Sequence, residues 1–566
     1  MVNQEIANIF YEIALYFEMQ DVAFKPQAYE KVALVLETLS EDVEDIYMKK
    51  GIEALEQLPG VGKNIAKKIV EYIRTGKIKE YEKLKKKVPV NLGELIRVEG
   101  LGPKKIKVLY QKLKIKNLKD LEKAAKSSKI SPLFGFGPKT EKNILEGIAF
   151  LKRSKGRFLL GEILPSVRKI CEKLKNLKEV KKISMAGSLR RMKETIGDVD
   201  FLVISDKPEK VMDFFVFLPG VVKVWGHGAT KSSVRMKNGY DMDIRVVPEK
   251  SFGSALQYFT GSKEHNIVTR KIAIDKGLKL NEYGIKTEEE VYKMLGLPYI
   301  EPEMRENQGE VEAALNNKLP KIIGYHDILG DLHCHCDWDG GSNSIEEIAE
   351  EARKMGYQYV GISDHTKFLR IEHGLDEKQL LQRNKEIEKI NLKFKTKNLK
   401  FRVLTGCEAN ILGDGSIDIK DEVLAKLDFV IAGVHSQFKM SREEMTERII
   451  KAMRNPNVDI ISHPTGRLIS RRDEYLIDFD KILRAAKETG TILEINASPY
   501  RLDLKDVYIK KAKEAGVKMV INTDAHSLEQ LSLMEYGISQ ARRGWAEKKD
   551  IINAWPLEKL LGFLKK

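Results

Sequence analysis

The most informative stretch of this sequence runs from Ala186 to Ile204 and reads AGSLRRMKETIGDVDFLVI. Asp198 and Asp200 flank one apolar residue and lead into an apolar run, so on a strand both carboxylates point to the same face. A second run, YDMDIR from Tyr240 to Arg245, places Asp243 on a strand that can lie alongside the first. Three carboxylates on one face repel one another unless cations bind, and an in-line phosphoryl displacement uses two divalent cations roughly 4 Å apart. The stretch therefore predicts a two-metal site for phosphoryl transfer on a sheet.

The residues before Asp198 supply the groups that a triphosphate needs. Gly187 lets the backbone approach a phosphate closely, and Ser188 offers a hydroxyl. Arg190 or Arg191 can take up charge on a leaving pyrophosphate. Asp-x-Asp alone is also found on ordinary surface strands, but the Gly-Ser-x-Arg-Arg run ten residues upstream favours a nucleotide site.

This arrangement resembles the nucleotidyltransferase signature of the family X DNA polymerases, the group of DNA polymerase beta. The segment YFTGS at Tyr258–Ser262, with Asn266 and Arg270 after it, is similar to the part of that family that contacts sugar, base and template. The resemblance implies that Asp198 and Asp200 hold two Mg²⁺ or Mn²⁺ ions and that Asp243 activates the primer 3′-hydroxyl. The residues that it implies for the dNTP are Gly187, Ser188, Arg191, Tyr258, Phe259, Gly261 and Asn266, with Arg270 on the DNA.

Charge is unevenly distributed along the 566 residues, a length that predicts several domains. The formal net charge is +15, yet residues 51–200 hold 37 Lys and Arg against 17 Asp and Glu, whereas residues 301–566 sum to about −2. A basic front half is typical of a protein that binds a nucleic acid backbone. A solvated lysine-rich surface and adaptation to heat are the alternatives.

Cysteine usage and the N-terminus favour a cytoplasmic protein. The four cysteines, Cys171, Cys334, Cys336 and Cys407, have no zinc-type spacing and suggest no disulfide framework. The first residues lack a basic region followed by an apolar one, and no uninterrupted apolar run is long enough to cross a bilayer. We expect no membrane partner, and a monomer is the default expectation.

Three segments in the helical first 150 residues repeat a Gly-apolar-Gly pattern, and each leads into a lysine-bearing helix. Such a turn exposes backbone N–H groups at a helix N-terminus, where a DNA phosphate can bind without its sequence being read. The pattern predicts helix-hairpin-helix elements on DNA, although plain helix packing is the alternative. The glycines are Gly60 and Gly62, Gly100 and Gly102, and Gly135 and Gly137.

The first hairpin lies where a family X polymerase carries its deoxyribose-phosphate lyase domain. Lys68 matches the Schiff-base lysine of the family, and Lys25 and Tyr29 also match. Phe24 and Asn64 depart from the histidine and lysine that the eukaryotic lyase has, and a Schiff-base lysine needs neighbouring cations that depress its pKa. Lys68 is therefore predicted to contact DNA, and lyase activity stays open.

A second cluster of chemistry follows residue 331, where seven of the ten histidines lie between 331 and 526. Short apolar strands alternate with helical stretches, and His, Asp or Glu residues follow the strands. Function at the carboxyl ends of alternating strands implies a parallel barrel, and imidazoles converging with carboxylates suit Mn²⁺, Zn²⁺ or Fe²⁺. The runs are Asp331–His335, Ile362–His365, Gly406–Glu408, Gly433–Ser436, Ile461–Pro464 and Thr523–His526.

This segment resembles the polymerase and histidinol phosphatase (PHP) domain, a distorted seven-stranded barrel that hydrolyses phosphoesters with up to three metal ions. The first motif of that family usually continues Ser-Asp-Gly, whereas here Asp339 comes one residue early, and it is the choice for the ninth ligand. Arg467 is expected to steady a phosphate oxygen. The resemblance gives as ligands His333, His335, Asp339, His365, Glu408, His435, His463, Asp524 and His526.

Together the segments resemble a bacterial or archaeal family X DNA polymerase, a multidomain chain with an all-α N-terminal region, an α+β palm with a small thumb, and a (β/α)7 PHP barrel. The resemblance implies gap filling in base excision repair on gapped or primer-template DNA with dNTPs, a Mn²⁺-dependent 3′→5′ exonuclease, and processing of abasic sites or blocked 3′ ends. The expected boundaries are 1–88 lyase-like, 89–150 fingers-type, 151–249 palm, 250–318 thumb, 319–330 linker and 331–566 PHP.

Three other functions are open at this point. A template-independent or RNA-directed nucleotidyltransferase would use the same carboxylates, although Asn266 and Arg270 match base and template contacts. The barrel would be a metal-stabilised structural module if its nearly complete ligand set served folding alone. A non-catalytic DNA-binding scaffold would use neither the carboxylate cluster nor the histidine cluster for catalysis.

Overall fold

In the computed structural model, residues 2–39, 41–58, 60–96, 98, 101–153 and 156–564 are described. The chain divides into two compact units. One comprises Met1–Lys155 and Leu468–Asp473, and the other comprises Gly156–Arg467 and Glu474–Lys566. None of the described helices is both long enough and apolar enough to span a membrane.

The first unit is helical, as the sequence predicts. Helix-period apolar residues such as Ile6, Phe10 and Ile13 are fully buried in one core. The Tyr16 hydroxyl donates to the Val90 carbonyl at 3.0 Å, which ties the first helix to a segment 74 residues later. The described part of this unit has the helices α1 (Val2–Met19), α2 (Lys25–Thr38), α3 (Val43–Lys50), α4 (Ile52–Glu56), α5 (Lys63–Thr75), α6 (Lys79–Lys87), α7 (Leu92–Leu95), α8 (Pro103–Leu113), α9 (Leu118–Lys126) and α10 (Pro138–Arg153).

The palm sheet carries the first predicted site. Its elements are β1 (Phe158–Leu159), α11 (Leu160–Lys175), β2 (Val180–Met185), α12 (Gly187–Arg190), β3 (Thr195–Ile196), β4 (Asp198–Ser205), α13 (Pro208–Val216), β5 (Val221–His227), β6 (Lys231–Met236) and β7 (Asp241–Val246). Within this fully described stretch the five-stranded sheet has the order β2-β4-β7-β6-β5, and only β4 and β7 run parallel. β6 and β7 alternate buried and more exposed residues, so one face packs on the core.

From its sequence, GHGATKSS, the segment Gly226–Ser233 is expected to be a tight loop before the strand of Asp243, and the structure differs from this expectation. It contains the end of β5 and the start of β6, which pair antiparallel as a hairpin with residues 228–230 at the turn. Its few apolar residues hide the strand pattern, because β5 is the edge strand and is largely exposed.

A small helical region after the palm contains α14 (Phe252–Thr260), α15 (Lys263–Asp275), α16 (Glu288–Met294) and α17 (Glu310–Leu315), with short 3₁₀ helices at Glu249–Ser251 and Pro302–Met304. A buried ion network ties it to the palm. Arg305 has no exposed surface, and its guanidinium bonds Glu288, which also accepts a bidentate pair from Arg190 at 2.9 and 2.8 Å. Because two arginines share one buried carboxylate, this network fixes the turn that contains Arg190.

The C-terminal region is the predicted parallel barrel. Its strands are β8 (Gly330–Cys334), β9 (Tyr359–Ile362), β10 (Arg402–Thr405), β11 (Glu408–Asn410), β12 (Ile431–Gly433), β13 (Ile460–Ile461), β14 (Ile492–Asn496) and β15 (Met519–Asn522). β10 and β11 are separated by two residues and act as one strand, which gives seven in this fully described region. Parallel bridges from Cys334 to Ala525 and from His365 to Glu408 join the three-stranded sheet β10-β9-β8 to the five-stranded sheet β11-β12-β13-β14-β15 and close the ring. The fold prediction is therefore confirmed.

Helices cover the barrel on the outside, and the strand side chains fill its inside. Cys334 and Cys336 are fully buried in an apolar cluster, as predicted from the alternation with His333 and His335. The helices are α18 (Ile345–Lys354), α19 (Glu377–Thr396), α20 (Asp421–Leu424), α21 (Arg442–Met453), α22 (Phe479–Thr489), α23 (Asp506–Ala515), α24 (Met534–Arg543) and α25 (Leu557–Phe563), with 3₁₀ turns at Arg370–Glu372, Leu528–Leu533, Lys548–Asp550 and Ile552–Ala554.

Replacing Glu288 with Gln tests the buried ion network. Burial would raise the pKa of Glu288, but Arg305 and Arg190 lower it from 4.5 to about 2. The carboxylate therefore stabilises the fold above pH 4.5 and loses this contribution as the pH falls to about 2. We expect Glu288→Gln to lower the free energy of unfolding by about 3 kcal/mol at pH 7 and by about half as much at pH 3, measured by urea unfolding.

The matched control is Glu289→Gln, which changes the exposed neighbour on the same helix. Its effect should stay within about 0.5 kcal/mol. An effect of Glu288→Gln that is the same at both pH values would contradict the ion-pair account.

Candidate active sites

The three predicted carboxylates of the palm meet on neighbouring strands. Asp200 on β4 is in register with Asp243 on β7, and Asp198 lies two residues earlier on β4. Burial and the negative charges of Asp198 and Asp243 raise the pKa of Asp200 to about 7, and Lys231 and Arg191 oppose this rise. The repulsion expected from the sequence is therefore present, and a bound divalent cation would relieve it.

The turn before β4 is tied to the same carboxylates. The Ala186 amide donates to the Asp200 carbonyl at 2.9 Å, which brings the start of α12 against β4. Gly187 has a φ of +61°, and a Cβ there would lie 2.3 Å from Asp200 Oδ2. Only glycine fits this close approach without moving the carboxylate.

Ser188 and the two arginines have different surroundings. The Ser188 hydroxyl is buried and has no hydrogen-bond partner among the described residues, which leaves it free to donate to a ligand. Arg190 is fully engaged with Glu288 and with the Thr260 hydroxyl at 2.7 Å. Arg191 binds Glu306 at 2.9 Å and the Thr260 carbonyl, and its charge acts on Asp200. Arg191 as the arginine that contacts the triphosphate stays a prediction.

The predicted sugar and base contacts cluster at the end of α14. Tyr258 and Phe259 pack edge to face with ring centroids 5.0 Å apart, and the Arg270 guanidinium lies over Tyr258 at 4.9 Å. Asn266 donates to the Tyr258 carbonyl at 2.7 Å and accepts from Gln257 at 3.0 Å. Gly261 follows the helix with a φ of +66°, and a Cβ there would lie 3.3 Å from the Arg191 guanidinium.

The helix-hairpin-helix glycines lie at helix starts, as expected. Gly62 and Gly102 are the N-cap residues of α5 and α8, and Gly137 directly precedes α10. Gly60 and Gly135 have φ values of +73° and +82°, which glycine adopts readily. A Cβ at Gly62, Gly102, Gly135 or Gly137 would meet no atom within 4 Å, so these turns are open to a large ligand. Gly100, a further predicted contact, is outside the described residues.

Lys68 has an acidic rather than a basic neighbourhood. Its ammonium lies 3.2 Å from Glu80, and the Tyr29 hydroxyl donates to the same carboxylate at 2.8 Å.

In the barrel, Glu408 lies at the centre of the predicted ligands. Its Oε1 is 3.0 Å from His463 Nε2 and 3.4 Å from His435 Nε2, and its Oε2 is 3.1 Å from His365 Nε2 and 3.4 Å from His333 Nε2. Asp524 Oδ1 lies 3.3 Å from His335 Nε2. One carboxylate between four imidazoles is suited to bridging two metal ions.

Among the described residues, the donor atoms form overlapping groups within 4.8 Å of one another. The buried Nε2 atoms of His333 and His335 have no hydrogen-bond partner there, so each presents a lone pair or a proton to the shared space. This donor set fits two or three divalent ions. The groups are His335, His365 and His526; His333, His335 and Asp524; His365, Glu408 and His435; and His335, Asp339 and Asp364.

Protons and ion pairs balance the charge of this cluster. Burial would lower the pKa of His365, but Asp339 and Glu408 raise it to about 10. Burial and the charge of His335 lower the pKa of His526 to about 4, so His526 is neutral at pH 7. A metal ion bound at His365 would displace this proton, whereas the neutral His526 already has a lone pair for a metal ion.

A second layer of side chains orients the imidazoles. Glu494 Oε1 lies 2.7 Å from His333 Nδ1, and Asn410 Oδ1 lies 2.8 Å from His435 Nδ1. Asp339 Oδ2 lies 2.8 Å from His335 Nδ1 and 2.9 Å from His365 Nδ1. Such partners fix which nitrogen faces a metal. The geometry fits Asp339 as an orienting group, and its role as ninth ligand stays a prediction.

Sequence reasoning missed Glu494 and predicted a phosphate contact for Arg467 that the structure does not support. Glu494 lies on β14, the one barrel strand that none of the six predicted runs overlaps or directly follows, although its alternation with Asn496 marks both as inward-facing. Arg467 is buried and bonds Glu194 of the palm at 2.7 Å, so it is an interdomain contact. Arg501 also lies next to the cluster, with its Nε 3.7 Å from Asp524.

Family models match most parts of the chain. A helix-hairpin-helix domain matches residues 1–78, and a SAM-like helix-hairpin-helix tandem matches residues 92–149. The DNA polymerase beta thumb matches residues 255–306, and the PHP domain matches residues 331–498.

Curated relatives support the same assignment. Over 208 residues the chain is 36% identical to a probable phosphatase of Thermoanaerobacter sp. (strain X514), which covers 35% of this chain and 78% of that protein. It is 40% identical over 580 aligned residues to the DNA polymerase/3′-5′ exonuclease PolX of Bacillus subtilis (strain 168), with 100% of both chains covered. The chain therefore belongs to the PolX family, the family X DNA polymerases that carry a C-terminal PHP domain.

Proposed function

We propose that this protein is a DNA-directed DNA polymerase that fills short gaps in base excision repair and also degrades DNA from the 3′ end in its PHP barrel. The observation that carries the proposal is the convergence of Asp198, Asp200 and Asp243 beside the Gly187 turn. The similarity to PolX over the full length supports both activities.

In the palm, this chain's own groups position the nucleotide and the primer end. Ser188 and Arg191 hold the triphosphate, and the Tyr258–Phe259 edge accommodates the sugar. Asn266 reaches the base after releasing the Tyr258 carbonyl, and Arg270 contacts the template side. Two Mg²⁺ or Mn²⁺ ions on the three aspartates would neutralise charge on the phosphates, and Asp243 would accept the proton of the 3′-hydroxyl.

In the barrel, eight of the predicted ligands bind two or three ions, with Mn²⁺ as the expected activator of exonuclease chemistry. These ligands are His333, His335, His365, Glu408, His435, His463, Asp524 and His526. Such ions supply a nucleophilic water and stabilise charge on the phosphodiester. Glu494, Asn410 and Asp339 orient the imidazoles, and Arg501 is the side chain placed to contact a phosphate oxygen.

DNA is held by the open helix-hairpin-helix turns of the first unit, through backbone amides and lysines. Lys68 is assigned to this role because Phe24 and Asn64 depart from the histidine and lysine of the eukaryotic lyase. Since the proposed substrate is gapped cellular DNA, the cytoplasm is the expected place of action, and a monomer suffices for both reactions.

Asp243→Ala and His333→Ala separate the two activities. With a 5′-labelled primer next to a one-nucleotide gap and Mn²⁺, we expect Asp243→Ala to reduce extension more than about 100-fold and leave shortening intact, because one carboxylate of the metal pair is lost. His333→Ala should have the reverse effect. The gel is read with and without dNTPs. Changing the template base opposite the gap tests whether the nucleotide that is added follows the template base.

Loss of both activities in Asp243→Ala alone would assign shortening to the palm as pyrophosphorolysis and return the barrel to a structural role. Extension that ignores the template base would instead support a template-independent nucleotidyltransferase.

Glu494→Gln tests the orienting layer of the barrel. Its carboxylate fixes His333 Nδ1, so the amide should lower the rate of Mn²⁺-dependent shortening or the affinity for Mn²⁺ on the order of 10- to 100-fold. Gap filling should not change. The control is Glu488→Gln, an exposed acid on the preceding helix, and equal losses in both variants would contradict the proposal.

A further inference from the structure

A cluster of charges around two buried arginines joins the predicted nucleotide site of the palm to the PHP barrel. It consists of Arg191 and Lys193 from the palm turn, Glu306 from the helical region after the palm, and Arg543 and Asp506 from the barrel helices α24 and α23. All five belong to the same compact unit. Neither the sequence motifs of the palm nor those of the barrel include Glu306 or Arg543.

Glu306 is shared by three cations. Its Oε1 accepts from Arg191 Nε at 2.9 Å and from Arg543 Nη1 at 3.1 Å, and its Oε2 accepts from Lys193 at 3.1 Å. Burial would raise the pKa of Glu306, but Arg543, Arg191 and Lys193 lower it to about 2. One carboxylate thus partly neutralises three positive charges, and Arg191 keeps charge to offer to a phosphate.

Arg543 reaches Arg191 by a second route. Its Nη1 donates to the Arg191 carbonyl at 3.0 Å, and its Nη2 bonds Asp506, which anchors the guanidinium within the barrel. Arg543 is only 5% exposed, so neither contact competes with much water. The barrel therefore holds both the backbone and the side-chain partner of Arg191.

We propose that Arg543, a residue of the PHP barrel, is a positioning residue for the polymerase reaction: it fixes Arg191 and shares its counter-ion, so that Arg191 can bind the triphosphate of the incoming nucleotide. This inference rests on the proposed role of Arg191 in dNTP binding. Without Arg543, Glu306 pairs more strongly with Arg191 and draws it away from the phosphates, and the Arg191 carbonyl loses its donor.

The test is the steady-state kinetics of one-nucleotide gap filling by the full-length protein with Mg²⁺. Arg543→Met should raise the KM for dNTP on the order of tenfold, the effect of losing one charge-assisted hydrogen bond, with a smaller change in kcat. Mn²⁺-dependent shortening of the same primer, measured in parallel, should be unchanged and reports that the barrel is folded. Arg543→Lys retains the charge but cannot make all three contacts, so its KM for dNTP should lie between those of the wild type and Arg543→Met.

The matched control is Arg542→Met. Arg542 precedes Arg543 on the same helix, is similarly buried and also bridges the regions through Glu303 at 2.7 Å, but it does not contact Arg191 or Glu306. An equal rise in the KM for dNTP in Arg542→Met would overturn the inference, because any broken interdomain ion pair would then suffice.

Two further variants separate this inference from the proposed function. If Arg191→Met leaves the KM for dNTP unchanged, the proposed role of Arg191 fails. If Arg191→Met raises the KM and Arg543→Met and Arg543→Lys do not, only the positioning role of Arg543 fails. In Glu306→Gln the carboxylate charge is absent, so Arg543→Met added to it should raise the KM less than in the wild type, and a fully additive effect would contradict the shared counter-ion.

Discussion

The structure depends on pairing each buried charged side chain with a partner of opposite charge. In the palm, the carboxylates of Asp200 and Asp243 are held side by side by the strand register, and burial shifts the pKa of Asp200 to about 7. In the barrel, Glu408 lies between four imidazoles with almost no exposed surface. The arrangement in the palm is unfavourable without a cation because buried like charges repel, whereas in the barrel burial would raise the pKa of Glu408 but the imidazoles hold it well below its usual range. Divalent cations are the partners that suit both sites.

The arginines of the palm show the same constraint for buried positive charges. Arg190 is paired with Glu288 and Arg191 with Glu306, and each acid is shared with a second arginine from another part of the chain. Sharing lets a glutamate hold an arginine in place without cancelling its charge. The turn after Gly187 is therefore positioned by the region that follows the palm and by the barrel, not by the palm sheet alone.

The sequence predicts local patterns well and long-range partners poorly. His333 and His335 could be assigned to one face of a strand and Cys334 to the other because alternation depends only on neighbours. Glu494 was missed because a single acid in an apolar strand gives no local sign of the imidazole that it faces. Arg467 was assigned to a phosphate because it follows His463, whereas Glu194, its partner, is 273 residues away in the chain. The sequence predicts a loop at Gly226–Ser233 instead of the end of the edge strand β5, because an exposed strand lacks the apolar pattern that marks a strand in the sequence.

These long-range partners change how the two activities relate. Sequence motifs describe two complete sites in separate domains, a picture in which the barrel is dispensable for polymerisation. The contacts Arg543–Glu306 and Arg467–Glu194 instead attach the barrel to the palm turn 191–194, which includes the predicted triphosphate contact Arg191. Because packed interfaces of this kind deform little, a rigid barrel limits where that turn can lie. With the roles proposed for Arg543 and for the barrel ligands, the PHP barrel is a support for the polymerase site as well as a second active site.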